Sequence, residues 1–386
     1  MTAAPGEVAL LLYDLRGSGV TRNALRIAGA ARDAGLPVSL WPMRLQGELV
    51  DSVPADIPIR PLRNKPSGRQ RDVDSLASVP ALRKALVQRR PDVLFSCGNH
   101  THVHAALAMR GLDRRSAVRF VGRASNAVVS GGHHGLVVSA LVKPWERFQY
   151  AGMDRIVAVS GELAGNLADL GLDPARIETI PNGIDLGATA AKAAEALDHP
   201  FFAPGQPPVV LGIGRLAKQK NFAGLLDAFA AARAKGPMRL LILGSGSKAQ
   251  ADALLQQAAR LGVASDFMLQ GYVGNPLPYL ARAGLFVLSS RWEGASNVLL
   301  EALACGCPVV ATRAPTGVIE VMQDGQIGPL VPVDDSAALA GAIVARLEQQ
   351  RQSAKLIARA QDFALDRTLS AYARLLTEEF ALARAL

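Results

Sequence analysis

Residues 289–312 read SSRWEGASNVLLEALACGCPVVAT and follow a short apolar run at 285–288. That run has the length of a buried strand, and 289–295 reads as a loop. Ser296 stands where a helix N-cap belongs, ahead of a helix that starts near Asn297 with apolar residues at helical spacing. A second apolar run, 308–312, reads as the next strand. Strand, loop, helix, strand is the crossover unit of a parallel sheet. Two carboxylates mark it: Glu293 before the helix and Glu301 inside its first turns.

The rest of the chain repeats the unit twice over. In the first half, strands fit 8–13, 38–41, 93–96, 118–122, 156–159 and 177–180, with helical stretches between most of them. The helix near 20–34 carries Ala24, Ile27, Ala28 and Ala31 on one face. In the second half, strands fit 209–214, 240–243, 267–270, 285–288, 308–312 and 328–331, with helices such as 222–234 and 249–261. The fold class is therefore α/β, with two doubly wound, Rossmann-like domains. The turn cluster Pro181-Asn182-Gly183-Ile184-Asp185 closes the first half, and alanine-rich sequence follows. The expected division is a first domain over 1–185, a linker over 186–208, a second domain over 209–365 and a last helix over 366–386.

Several strand ends suit a phosphorylated ligand. A helix start leaves unpaired backbone N–H groups, here on Asn297, Val298 and Leu299, and a partial positive charge that favours an anion. Carboxylates beside a phosphate are repelled by it, so Glu293 and Glu301 fit neutral hydroxyls, a sugar on one side and a ribose on the other. Taken singly, each glutamate also fits an ordinary solvated position. Arg215 and Lys220, in Gly212-Ile213-Gly214-Arg215-Leu216-Ala217-Lys218-Gln219-Lys220, follow a strand end and can clamp a diphosphate. Gly212-Ile213-Gly214 alone also fits a dinucleotide turn, but the third glycine is missing and Arg215 fills the position of close approach. Glycine loops recur at Asp14-Leu15-Arg16-Gly17-Ser18-Gly19 and Leu243-Gly244-Ser245-Gly246.

Together these strings resemble the retaining family 4 glycosyltransferases, which have the two-domain GT-B fold. The resemblance is strongest over 209–312 and weaker in the first half. It implies two domains facing a central cleft, with the acceptor met by the first, the donor held by the second, and the last helix crossing back to the first. It implies that Glu293 contacts the transferred sugar, Glu301 the ribose, and Gly294, Ala295, Ser296, Asn297, Val298 and Leu299 the diphosphate through their backbone. Arg215 and Lys220 carry over as diphosphate ligands, so Glu293, Arg215 and Lys220 form the expected catalytic set. Gly214 and Gly244 line the donor site, Tyr272 and Val273 lie beside the base, and Ser18 and Gly19 stand opposite the diphosphate. Where the family places a histidine, this chain has Phe120-Val121-Gly122-Arg123-Ala124-Ser125-Asn126. Arg123, Asn126, His100 and His133 are the acceptor-side candidates.

Other features bound the function. A formal net charge of +9 predicts anionic partners: nucleotides, phosphorylated acceptors or an anionic membrane surface, with nothing to specify nucleic acid. Arg60 to Arg90 holds nine Lys or Arg against two Asp. No apolar run reaches the ~18 residues of a membrane span, and no charged-then-apolar leader opens the chain. Three cysteines make no disulfide framework, which fits a reducing, cytoplasmic setting, with the inner membrane face as a site of peripheral attachment. Three histidines, His100, His102 and His104, are read as cleft-lining or helix-capping rather than zinc-binding, and Asp72-Val73-Asp74 is set aside as remote from the diphosphate motifs. No metal or cofactor is expected. The expected activity is metal-independent transfer of a sugar from a nucleotide diphosphate, UDP-sugar favoured, to a glycan or lipid-linked acceptor in envelope assembly. Three alternatives stand beside it. An epimerase of the same fold acts without an acceptor, and a binding module does not hydrolyse donor. A nicotinamide-dependent oxidoreductase needs a carboxylate at the end of the next strand, where Leu243-Gly244-Ser245 stands.

Overall fold

The computed structural model describes residues 6–63, 77–112, 118–126 and 136–385, with the backbone alone for 136–142. The chain divides into two compact units, the first formed by Met1–Pro181 and Asp366–Leu386 and the second by Asn182–Leu365.

Unit 1 holds strands β1 (Val8–Leu12), β2 (Val38–Pro42), β3 (Val93–Ser96), β4 (Arg119–Ala124), β5 (Arg155–Ala158) and β6 (Ile177–Thr179). They form one sheet in the order β2-β1-β3-β4-β5-β6, and every pairing is parallel. All five residues of β1 are buried, as their uninterrupted apolar run requires of a strand covered on both faces. The helix Gly19–Asp33 buries Ala24, Ile27, Ala28 and Ala31, the face read from the sequence. The winding direction reverses between β1 and β3, so the loops after those two strands meet at the switch point.

The last helix, Leu365–Arg384, completes the core of unit 1. Tyr372, Leu375 and Leu376 join the cluster around β1 and β3, and Tyr372 meets Phe95 edge to face at 6.0 Å. Burying side chains of this size contributes about 1.5–3 kcal/mol each. Glu379, 1% exposed, is compensated by Arg119 at 2.6 Å and Arg155 at 3.2 Å. Removing one partner from such a buried pair costs about 3–5 kcal/mol.

Unit 2 holds β7 (Val209–Ile213), β8 (Arg239–Leu243), β9 (Phe267–Gly271), β10 (Leu285–Leu288), β11 (Val309–Thr312) and β12 (Leu330–Val331). The order β12-β11-β10-β7-β8-β9 is again wholly parallel, and the reversal falls between β7 and β10.

Residues 186–208 differ from the linker that their composition suggested. Asp185 caps the helix Leu186–Ala193 by accepting from the Ala188 N–H at 2.8 Å. Leu186, Ala193 and Leu197 pack on the core of unit 2, and Phe201 is buried within it. Alanine is a strong helix former, and the interspersed Leu and Phe side chains have an apolar face to join. Ile184 also belongs to unit 2, bonding through its N–H to the Phe363 carbonyl at 2.8 Å.

Among the described residues no helix is long and apolar enough to cross a membrane.

Candidate active site

At the switch point of unit 2, the loop after β7 meets the loop after β10. Gly214 N–H donates to the Leu243 carbonyl at 2.9 Å, and Leu216 N–H to Ser245 at 2.9 Å, which seats the β7 loop against the β8 loop. The contact leaves no room for side chains. A Cβ on Gly244, where φ is +157°, would lie 1.7 Å from the Gly214 carbonyl oxygen. One on Gly214 (φ +151°) would lie 2.8 Å from Lys220 Cε.

This packing sends Lys220 to the β10 loop. Its Nζ lies 2.6 Å from Glu293 Oε1, and the two side chains are only 16% and 7% exposed. Glu293 is held from every side. Its N–H donates to the Pro315 carbonyl at 2.8 Å, and its own carbonyl accepts from Thr316 Oγ1 at 2.6 Å. The Ser290 hydroxyl donates to the same Oε1 that Lys220 contacts. Ser289 Oγ donates to the Lys220 carbonyl at 2.7 Å, tying the two loops together again. Arg215, by contrast, is exposed, and its side chain has no partner among the described residues.

The helix Asn297–Ala304 begins directly after this loop. Ser296 occupies the N-cap position, but its hydroxyl makes no capping bond and is buried without a partner, which corrects the capping role read from the sequence. Its carbonyl instead takes the Leu299 N–H at 3.1 Å, so Leu299 is not one of the free amides. Asn297 and Val298 remain, with no acceptor for their N–H groups among the described residues. The Asn297 side-chain oxygen accepts from Asn182 Nδ2 at 2.6 Å, and Asn182 also reaches the Ala295 carbonyl at 3.3 Å. A residue of the Pro181-Asn182-Gly183 turn thus braces the loop that carries Gly294 and Ala295. Glu301 is half-buried in the same helix. Tyr272, 73% exposed, and Val273 follow the end of β9, and the Gly271 carbonyl accepts from Gly244 N–H at 2.6 Å. No carboxylate stands where β8 runs into Gly244, so a ribose-binding acid of the nicotinamide type is missing there.

In unit 1, Ser18 caps the helix Gly19–Asp33, its hydroxyl oxygen accepting from the Thr21 N–H at 3.1 Å. Gly17 N–H donates to Glu48 Oε1 at 2.8 Å. Glu48's own backbone N–H and that of Gly17 hold its carboxyl below the usual range.

The histidine cluster and Arg123 are placed differently from the acceptor-side expectation. His102 is fully buried, its Nδ1 2.7 Å from Ser96 Oγ and its Nε2 3.2 Å from the Arg123 carbonyl. A carbonyl only accepts, so Nε2 carries the proton. Burial pushes the His102 pKa down to about 3. His104 is buried as well, with Nδ1 2.9 Å from the His100 carbonyl, while His100 itself is exposed. Arg123 is 2% exposed and donates through Nε to the Tyr372 hydroxyl at 2.9 Å. An inward position on a central strand makes it part of the core of unit 1. Asn126 is exposed at the end of a described segment. His133, His134, Asp72-Val73-Asp74, Lys65, Arg69 and Arg71 lie outside the described residues. Among the described residues no three His, Cys, Asp or Glu side chains are grouped to hold a metal ion.

Ser290, Thr316 and Asn182 position the site but were assigned no role from sequence. Ser290 stands three residues before Glu293, and a hydroxyl so near a carboxylate is the one sequence signal available for it. Thr316, 23 residues on and bonded to the Glu293 carbonyl, offers none.

The sequence profile described as Glycosyltransferase Family 4 matches residues 17–188, and that described as Glycosyl transferases group 1 matches residues 207–349. The chain is 37% identical over 193 residues to the N-acetylgalactosamine-N,N'-diacetylbacillosaminyl-diphospho-undecaprenol 4-alpha-N-acetylgalactosaminyltransferase of Campylobacter jejuni, covering 48% of this chain and 50% of that protein. It is 34% identical over 194 residues to the lipopolysaccharide core biosynthesis glycosyltransferase LpsE of Rhizobium meliloti, covering 50% and 54%. The chain spans about half the length of the curated relatives it matches. The solved structure of HepE from Anabaena in complex with UDP-glucose is similar at a TM-score of 0.75 and 20% identity, over 96% of this chain and 99% of that one. At that identity the likeness speaks for the fold.

Proposed function

The chain belongs to the family 4 glycosyltransferases and has their GT-B fold, and from that premise we propose that it moves a sugar from a nucleoside diphosphate to an acceptor hydroxyl with retention of configuration. The observation that carries this reading is the Lys220–Glu293 pair, set at the switch point beside the Asn297 and Val298 amides. A cation and two amides suit the diphosphate, and a fixed carboxylate suits the hydroxyls of the sugar.

In the proposed reaction the bond from the anomeric carbon to the diphosphate oxygen breaks, and a bond to the acceptor oxygen forms on the same face. The departing phosphate oxygen takes the acceptor proton, so no protein base is required. Arg215, Lys220 and the start of the helix Asn297–Ala304 stabilise the charge left on the diphosphate. Glu293 holds the transferred sugar and Glu301 the ribose. With these groups supplying the positive charge, activity is expected to survive excess chelator.

A UDP-sugar is the favoured donor, because HepE is solved with UDP-glucose. A lipid-linked or envelope glycan is the favoured acceptor, because the Campylobacter relative is named for a diphospho-undecaprenol substrate and LpsE for the lipopolysaccharide core. A cytoplasmic enzyme at the membrane surface fits such an acceptor. The test is UDP release from a panel of UDP-sugars, with and without lipid-linked saccharides and with excess chelator. Release that is unchanged by every acceptor, or a product inverted at the anomeric carbon, sinks the reading; activity lost with chelator and restored by Mn²⁺ sinks its metal-free part.

A further inference from the structure

The opposite, amino-terminal edge of the unit 2 sheet carries a second cationic feature. The helix Ser336–Glu348 lays Leu339 and Ile343 on β10 and β11, and its last turn carries Arg346 down to the strand starts. Leu347, the next residue, lies 3.3 Å from where a Cβ on Gly284 would stand, just ahead of β10. Arg346 is 5% exposed, its Nη1 is buried without a partner, and no carboxylate pairs with it among the described residues.

Its surroundings do not compensate that charge. Arg351, exposed at the rim, takes the nearby carbonyls: Gly306 through Nε at 3.0 Å, Ala281 through Nη2 at 2.9 Å and Ala283 through Nη1 at 3.4 Å. Among the described residues the acid that acts on Arg346 is the Cys307 thiol, and burial pushes its pKa up to about 12, so it is neutral. A second cation beside a desolvated first one raises the cost of both. Burial, with Arg351 acting in the same direction, accordingly lowers the pKa of Arg346. A buried charge without a counter-charge calls for one from solution.

We propose that Arg346 and Arg351 form a binding site for a small inorganic oxyanion of the phosphate class, at the sheet edge opposite the Lys220–Glu293 loops. Guanidinium forks match the oxygens of a tetrahedral anion better than they match a halide. The near-complete burial of Arg346 favours a free ion over a head group attached to a larger molecule.

Thermal unfolding and calorimetry of the full chain, titrated with sodium phosphate against sodium chloride at equal ionic strength, test the site. Phosphate is expected to raise Tm saturably in the parent and equally in Lys220→Ala, which separates the effect from the donor loops. Arg346→Met should abolish the response and, in phosphate-free buffer, be at least as stable as the parent, because it removes an uncompensated charge. Arg351→Met, at the exposed rim, should weaken phosphate about tenfold, the loss expected of one charge-assisted contact. No response in the parent, equal responses to chloride, or an unchanged response in Arg346→Met overturns the proposal. So does an Arg346→Met protein less stable than the parent without phosphate, which would mark an ordinary structural arginine. Should Arg346→Met fail to fold, heat of phosphate binding to the parent and its tenfold weakening in Arg351→Met decide the matter.

Discussion

Lys220 and Glu293 stand 73 residues apart in sequence and 2.6 Å apart in space, bridging the loops after β7 and β10. Each is a proposed donor ligand, the lysine for the diphosphate and the glutamate for the sugar. With both side chains mostly buried, the pair is screened less than a surface salt bridge, and leaving either partner alone is costly, about 3–5 kcal/mol. A donor must therefore arrive with a charge to replace one partner and hydroxyls to replace the other. A nucleotide sugar offers both at once.

Arg215 and Lys220 should separate by their effect on stability. Losing either should cut turnover by roughly 10²- to 10³-fold, the scale of one transition-state donor. Lys220→Ala also leaves Glu293 buried and unpaired, a cost of about 3–5 kcal/mol. Arg215, exposed and without a side-chain partner among the described residues, should change stability by no more than about 0.5 kcal/mol as alanine. Steady-state kinetics and thermal unfolding of the two variants check this. Equal Tm losses, or parental turnover in both, would show the clamp misassigned.

The two glutamates should differ in what they bind. Glu293→Gln removes the carboxylate that competes for Lys220, so free UDP should bind as tightly as to the parent or more tightly, while turnover falls. Glu301→Gln removes a charged ribose partner and should weaken UDP by about 1.5–3 kcal/mol, the worth of a hydrogen bond to a charged group. Calorimetry with UDP alone decides it. Identical nucleotide affinity in both variants counts against the division of roles.

Ser290 positions Glu293 through the hydrogen bond to Oε1. Ser290→Ala should lower kcat several-fold and leave UDP affinity unchanged, since about 1 kcal/mol is lost from the carboxylate's orientation. A change in UDP affinity with kcat intact would place the hydroxyl in nucleotide binding instead.

The strand pattern was legible because both sheets are wholly parallel and their inner strands are buried on both faces. Runs such as VALLL and LFVL are apolar without interruption, and helices separate them. Observed strand ends fall within two residues of those read from the sequence, Gly122 against Ala124 and Gly328 against Leu330 being the widest gaps. The segment 186–208 misled because alanine-rich composition looks like low complexity, whereas a capped helix needs only Asp185 and an apolar face. In the site, Lys220, Glu293, Gly214 and Gly244 were legible from motifs at strand ends. Ser296 was not, since a serine at an N-cap position does not reveal where its hydroxyl turns. Arg123 and His102 misled for a related reason. Polar residues near a loop look available until a partner distant in sequence, Tyr372 for Arg123 and the Arg123 carbonyl for His102, shows them inside the core.

His102 makes stability depend on pH. Its ordinary pKa of 6.5 holds in the unfolded chain, and burial lowers it to about 3 in the fold. Between those values the unfolded chain binds a proton that the folded chain refuses, so the contribution is full above pH 6.5 and is lost as pH falls toward 3. The slope is about 1.4 kcal/mol per pH unit, or about 2 kcal/mol between neutrality and pH 5. His104, also lowered by burial, adds in the same direction. Denaturant unfolding at pH 7 and pH 5 should show the loss in the parent and a smaller one in His102→Gln. The same loss in both would assign it to other groups.

The last prediction concerns the acceptor, and it rests on the proposed function at the membrane surface. Trp145 is 53% exposed and stacks on Phe148 at a centroid distance of 5.9 Å, in the helix Leu136–Ala151. Lys143 and Arg147 are exposed beside them, so aromatic rings and cations share one stretch of surface. Aromatic side chains settle at the head-group level of a bilayer, and each nearby cation adds about 1 kcal/mol at an anionic surface. Arg63, Lys65, Arg69 and Arg71 supply further positive charge in the same unit's sequence, although only Arg63 lies among the described residues. We therefore expect the protein to sediment with vesicles containing anionic lipid, and to be released as salt rises. Trp145→Ala should weaken binding at every salt concentration, whereas Arg-to-Glu and Lys-to-Glu changes at 63, 65, 69 and 71 should weaken it most at low salt. Equal partition to neutral and anionic vesicles, or none to either, would direct attention to a soluble glycan acceptor.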